Sequence, residues 1–447
     1  MADLQTLTEK MLTAAKKAGA EAADAIVIRG DSLSIEVANG ALEHAERAEG
    51  IDLGLRVLLG QRSAVVSVSD GSDATIAVMA ERAVAMAKAA PEDPYIGLAT
   101  AEQLATSWDV GVLELLDPAV PASPAALKDM ALAAEAAAQG VDGVSKVDSA
   151  GGSYSASTIH LATSNGFSGG YGRTSTGLYC TAISGDGLEM ERDYKGESRI
   201  FAADMMGADE VGRIAGERAV ARIGASQPPT GAFPVLFDER VSSTLVGHLM
   251  AAINGRAVAR GVSWLKEALG ERVLPEGMDL IEDPFRKRVG GSKPFDAEGL
   301  ATARRAWVAD GVLSGWVLDL ASARQLGMES TGNAARGAGS APSPSVGNLT
   351  LSAGAHSREA LIKEMGTGLI VTSLIGSSVN PNTGEYSRGA SGFWVENGEI
   401  VRPVNACTVA GNLREMLGGM VAANDGQAHL SRVVPSLLVE GLTIAGS

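Results

Sequence analysis

The sequence predicts an α+β protein in two parts. Residues 1–224 read as an N-terminal α+β domain of antiparallel sheet with flanking helices, and residues 225–447 as a C-terminal mainly-β, barrel-like domain. Three observations carry this. In Ser32-Leu33-Ser34-Ile35-Glu36-Val37 polar and apolar residues alternate strictly, as a sheet with one wet face requires. The order helix, antiparallel meander, helix recurs twice before residue 224, as an internal duplication would place it. Glycine is frequent (55 residues) while aromatics make up only 4%. That balance suits many tight turns between short strands, with a core of Val, Ile, Leu and Ala.

The elements follow in order. Leu4, Leu7, Met11 and Ala15 recur at helical spacing, with Asp3 as a cap and Gly19 where the helix should stop. Strands are predicted over Ala25 to Arg29, Leu33 to Ala38, Ala41 to Glu49, Asp52 to Leu59 and Ala64 to Ser69. A second helix spans 73–90, ended by Pro91. Ser123-Pro124 is a cap followed by a first-turn proline, and Leu127, Met130 and Ala134 mark the third helix. Glycine-punctuated strands fill 143–198, and a helix runs through Val211, Ile214, Ala215 and Ala219. The polar, small stretch 224–231 contains Pro228-Pro229, which cannot continue that helix. Beyond it lie a strand, Phe233 to Phe237, and a helix, Glu239 to Ile253. The remainder alternates short strands with Gly and Asn turns, as a barrel or two packed sheets would.

Composition narrows the function. No apolar run approaches the roughly 18 residues of a membrane span. The acidic opening segment Met1 to Met11 has no apolar stretch of the kind a secretory signal carries. Two cysteines, Cys180 and Cys407, make no disulfide framework and suit a reducing cytoplasm. The net charge of −16 repels polyphosphate, so direct nucleic-acid binding is not expected. The short, exposed-looking run Arg286-Lys287-Arg288 does not change this.

Self-contained chemistry is hard to find. There is no Gly-Lys dipeptide and hence no P-loop. Gly166-Phe167-Ser168-Gly169-Gly170 matches a nucleophile elbow, but glycine-rich strand follows where a helix should, so a hairpin turn is the better reading. The five histidines, His44, His160, His248, His356 and His429, never fall within one helical turn of each other. His248, on an amphipathic helix, reads as a hydrogen-bonded packing residue. In Phe295-Asp296-Ala297-Glu298-Gly299 the two acids read as turn formers, and Cys407 as a core thiol.

The block Asn380-Pro381-Asn382-Thr383-Gly384-Glu385-Tyr386-Ser387-Arg388-Gly389, running on to Gly398, resembles the signature of the TldD/PmbA family. Thr408-Val409-Ala410-Gly411-Asn412-Leu413, Ser330-Thr331-Gly332-Asn333 and Glu92-Asp93-Pro94-Tyr95 extend the resemblance over nearly the whole chain. TldD-type members of that family carry an HExxxH motif and a later cysteine that bind zinc. The corresponding helix here reads Ser243-Thr244-Leu245-Val246-Gly247-His248. Serine stands at the first ligand, threonine at the glutamate base, and only His248 is kept, which is the pattern of the TldE, or PmbA, branch. The resemblance implies no metal or catalytic residue in this chain. It implies a heterodimer with a TldD-like subunit that brings the zinc, or a homodimer of the chain alone. Unfolded or extended peptides would be the substrates, and Asn380, Thr383, Ser387 and Arg388 either donate hydrogen bonds to them or simply build a structural hairpin loop. The alternative is a regulatory protein that modulates DNA gyrase indirectly.

Overall fold

The computed structural model describes residues 2–446. The first helix, α1 (Ala2–Ala18), buries Leu4, Met11 and Ala15 and stops at Gly19, whose φ of 102° suits glycine. Asp3 lies inside its first turn rather than capping it from outside, and pairs with Arg29 at 2.5 Å. The four strands expected over 25–59 are two long ones, β1 (Ala22–Ala38) and β2 (Ala41–Leu59). Gly30 and Gly50, which lie in the gaps between the predicted strands, face each other in register. Gly30 also pairs with Ser157 on its other side, and these ladder pairings hold both glycines extended, so the chain has no reason to turn there. The turn sits instead at Asn39-Gly40, with φ of 54° and 72°, the left-handed pair a tight hairpin needs.

β3 (Arg62–Val68) and α2 (Asp73–Ala89) complete the first half, and the Ser72 hydroxyl accepts the Thr75 N–H as the cap of α2. The second half repeats the order: α3 (Pro124–Gln139), β4 (Val144–Thr163), β5 (Ser168–Ser184), β6 (Glu191–Arg199) and α4 (Ala208–Val220). Ser123 caps α3 ahead of its first-turn proline, as anticipated. The six strands form one antiparallel sheet in the order β3-β2-β1-β4-β5-β6, so the two meanders meet through their first strands.

Alternation along β1 decides what each face of this sheet meets. Ala23, Ala25 and Val27 join the core under α1 and α2, and Ile35 and Val37 join the core under α3 and α4. All four helices therefore cover one face. On the other face, Ile26 packs with Phe167 and Phe295, and a Cβ added at Gly54 would lie 2.1 Å from the Ala338 carbonyl oxygen. That face is covered by the C-terminal half near Ile26 and is wet only further along the strands.

The C-terminal half opens with β7 (Gly231–Phe237) and α5 (Glu239–Ala252). Strand β7 runs parallel to Gly368–Val379 and antiparallel to Leu437–Ala445. Glu385–Glu396 and Glu399–Asn412 continue the sheet, and Thr408 meets Ala445 to close a five-stranded barrel. A separate five-stranded sheet is built on Leu280–Glu282, Arg305–Ala309 and Leu349–Leu351. Of the two anticipated arrangements the barrel is the one present, with this smaller sheet as an addition. α5 lays Val241, Leu245, Val246 and Leu249 into the core that Trp307, Tyr386 and Trp394 also fill.

Candidate functional site

Asp238 starts α5 by accepting the Arg240 N–H, and the apolar stripe on the barrel core fixes the helix's rotation. The neighbouring face then carries Ser243, Thr244 and His248, all half-buried. The Thr244 hydroxyl donates to the Val241 carbonyl at 2.7 Å. The His248 ring sits edge-on to Tyr386, with centroids 5.8 Å apart and planes at 74°. Its Nε2 is buried without a hydrogen-bond partner, so His248 packs as expected but is not held by the hydrogen bond the sequence suggested. Burial, and secondarily the Arg388 charge, lowers its proton affinity and keeps the ring neutral. The Tyr386 hydroxyl is likewise unpartnered, and burial pushes the phenol up to about 12.

Beside this face lies a cavity of about 220 Å³ walled by Thr244, Thr372, Arg388, Arg222, Arg240 and Asp193. Its residues come from α5, two barrel strands, β6 and the turn after α4. Thr372 is 7% exposed and its hydroxyl has no partner. Arg192 also lines it, and three of its four guanidiniums have acids. Arg240 meets Asp193 at 2.5 Å, Arg222 meets Glu191 at 3.2 Å, and Arg192 meets Asp148 at 3.2 Å. The fourth, Arg388, donates from Nε to the Gly376 carbonyl at 2.7 Å and has no carboxylate within 4 Å among the described residues. Arg240 and Tyr194 are also walls of a larger cavity of about 600 Å³, reaching Lys195, Glu239 and His429. Both cavities border β6, the last strand of its sheet.

The sequence-selected residues divide. Thr244 and Arg388 line the same cavity, and Ser243 and His248 share the helix face beside it. Asn380 and Thr383 are exposed in the hairpin turn after Gly368–Val379. The Asn380 side chain accepts the Asn382 N–H, and Asn412 donates to the Thr383 carbonyl at 3.0 Å. Ser387 lies half-buried in the strand, opposite Ser378. Asp193, Arg222, Arg240 and Thr372 gave no signal, because single charges and a threonine scattered over 193–372 share no spacing.

The other candidates resolve into structure. Ser168 opens β5 after a hairpin turn, 3.5 Å from His160 Nε2, but the far ring nitrogen meets the Thr8 hydroxyl at 3.0 Å and not a carboxylate. Asp296 accepts the N–H groups of Glu298, Leu300 and Ala334, a turn-forming acid as read. Glu298, 5% exposed, accepts the Leu320 N–H, and burial pushes it up to about 8. The basic run is less free than its sequence suggested: Lys287 and Arg288 bind Glu114, and Arg286 donates to the Ala428 carbonyl. Cys407 is buried and its thiol pushed up to about 11. Among the described residues no three His, Cys, Asp or Glu side chains come together as a metal site, and no helix is long and apolar enough to cross a membrane.

This fold, a duplicated helix–meander sheet docked on a closed barrel, is matched along its length by known proteins. Residues 23–87, 117–223 and 230–446 match, in turn, the PmbA/TldA metallopeptidase domain 1, central domain and C-terminal domain. The chain belongs to the PmbA/TldD family, in its PmbA, or TldE, branch. It is 34% identical to the metalloprotease PmbA of Escherichia coli over 438 residues, covering 97% of this chain and 94% of that one. A Bacteroides thetaiotaomicron structure, described as a candidate modulator of DNA gyrase, superposes with a TM-score of 0.90 at 25% identity, covering 100% of both chains. TldE of Thermococcus kodakarensis shares the fold, with a TM-score of 0.84 at 20% identity over 98% of this chain and 100% of that one.

Proposed function

We propose that this chain is the non-catalytic subunit of a heterodimeric TldD/TldE-type zinc peptidase acting on unfolded or extended peptides in the cytoplasm. The observation that carries this is the set of groups around His248. A catalytic zinc takes three protein ligands and an open position, with a general base near its water. Around His248 stand a threonine hydroxyl already bonded to backbone, a phenol and a guanidinium. One imidazole with no second ligand beside it among the described residues, facing a positive charge, does not fit that ion. The zinc then belongs to a TldD-like partner, and this chain contributes the walls that receive the peptide. Edge strand β6 with its two cavities supports that role, since an extended peptide can pair with a strand edge whatever its side chains.

The test is a peptide-cleavage assay of the assembled complex, with zinc content measured on each subunit. His248→Ala in this chain should reduce the rate by less than about tenfold, because a lost catalytic group typically costs ~10²–10⁴-fold. Replacing the first zinc histidine of the partner should abolish cleavage. About one zinc per copy of this chain after mild chelation, or collapse of activity on changing His248 alone, would overturn the reading.

A further inference from the structure

We infer that the cavity between α5 and β6 is a receptor for one carboxylate of a bound peptide, with Arg388 as its charge partner. This rests on the peptide-handling role and specifies what that site recognises.

The charges lead there first. Four guanidiniums line the cavity, and Asp193, Glu191 and Asp148 satisfy three of them. Arg388 is left with one backbone carbonyl and no acid among the described residues. A guanidinium without a counter-ion is open to one, and its planar fork matches a carboxylate in shape and charge. The bond from its Nε to the Gly376 carbonyl fixes the side chain, and the guanidinium also faces the Tyr386 phenol, so a carboxylate would take the donors that remain.

The second observation is independent of charge. Thr372 is more than nine-tenths buried in the wall of the same cavity, and its hydroxyl bonds to nothing. A buried hydroxyl left unpaired costs about 1–3 kcal/mol, a cost that a bound acceptor removes. A carboxylate held by Arg388 would have Thr372 in the wall beside it, and a turn of that side chain would add its hydroxyl as a second donor. The volume of about 220 Å³ admits a chain end or one acidic side chain and no folded surface. The shared walls Tyr194 and Arg240 connect this end to the larger cavity, so a peptide lying along β6 would present its carboxylate here.

The full chain would be titrated calorimetrically with N-acetyl-tetraalanine as the free acid and as the C-terminal amide. A third peptide, an amide of equal length with one internal Glu, separates a terminal from a side-chain carboxylate. The acid should bind at least about tenfold more tightly than the plain amide, as charge-assisted hydrogen bonds are roughly twice as strong as neutral ones. Arg388→Gln should bring the acid down to the level of the amide, and Arg388→Lys should keep part of the preference. Thr372→Val, which removes only the unpartnered hydroxyl, should weaken the acid severalfold without lowering Tm. An Arg388-dependent gain with the Glu peptide alone would support the site and assign it to acidic side chains. Equal binding of all three peptides, or a preference that survives Arg388→Gln, overturns the inference and leaves peptide binding standing. No binding of any peptide overturns both. Acid preference in a complex that cleaves nothing would sink only the peptidase assignment.

Discussion

Glu298 sits in the chain as a neutral acid. Burial, reinforced by neighbouring Asp296, raises it to about 8, although Arg56 pulls the other way. An unperturbed glutamate titrates near ~4.3. Between these values the folded chain holds a proton that the unfolded chain releases, so stability falls as pH rises through the window. Glu298→Gln, which mimics the protonated form, should be nearly neutral at pH 5 and stabilising at pH 8.5. Urea denaturation at both values checks this, and an unchanged difference between them would contradict it. The residue also shows what a local pattern conveys. The spacing in Phe295-Asp296-Ala297-Glu298-Gly299 announced a turn, and Asp296 makes it. That the second acid would be buried depended on the Leu320 N–H, twenty-two positions away.

At the scale of elements, α3 and α4 approach through glycine. A Cβ added at Gly212 would lie 2.0 Å from the Ala134 carbonyl oxygen, a backbone atom that cannot swing aside. Propensity alone favours alanine in a helix by about 1 kcal/mol. The clash should reverse that sign, and Gly212→Ala should destabilise by about 1–3 kcal/mol, the usual range for overpacking. Gly247→Ala in α5 is the matched comparison. There the nearest atom to the new Cβ is 3.6 Å away, and propensity should prevail, raising stability by up to about 1 kcal/mol. Thermal unfolding of the two variants should move Tm in opposite directions, and a shared direction would refute the packing argument.

For the whole molecule, the joint between the halves is polar as well as apolar. Asp24 on β1 binds Arg56 on β2 at 2.5 Å and Arg336 from the C-terminal half, with all three side chains buried. Its carboxyl is held below the ordinary range by these two guanidiniums, against the opposing effect of burial. We propose residues 1–224 and 225–447 as the units that this network joins. Asp24→Asn would leave two guanidiniums buried against one neutral amide, and should cost about 3–5 kcal/mol of stability. Urea unfolding followed by tryptophan fluorescence measures this, and a loss below about 1 kcal/mol would show that the joint is mainly apolar. Since the Asp24 pKa is depressed, its contribution is present above the ordinary carboxylate pKa and is lost as pH falls through the folded value.

Whatever depends on near neighbours could be read from the sequence alone. Ser123-Pro124, the period of α1 and α2, and the antiparallel meanders need only a few consecutive residues to specify them. The block from Asn380 to Gly398 was legible as a family signature for the same reason, being contiguous. Tertiary structure decided the rest. Gly30 and Gly50 stay extended because each is the other's partner across the sheet, which outweighs glycine's preference for turns. The barrel closes between Thr408 and Ala445, a pairing that no local pattern encodes. Asp193, Arg222, Arg240, Thr372 and Arg388 meet at one cavity only after β6, α5 and the barrel strands have packed. Which guanidinium lacks an acid is then a property of that packing, because charge compensation acts through space and leaves no trace in spacing along the chain.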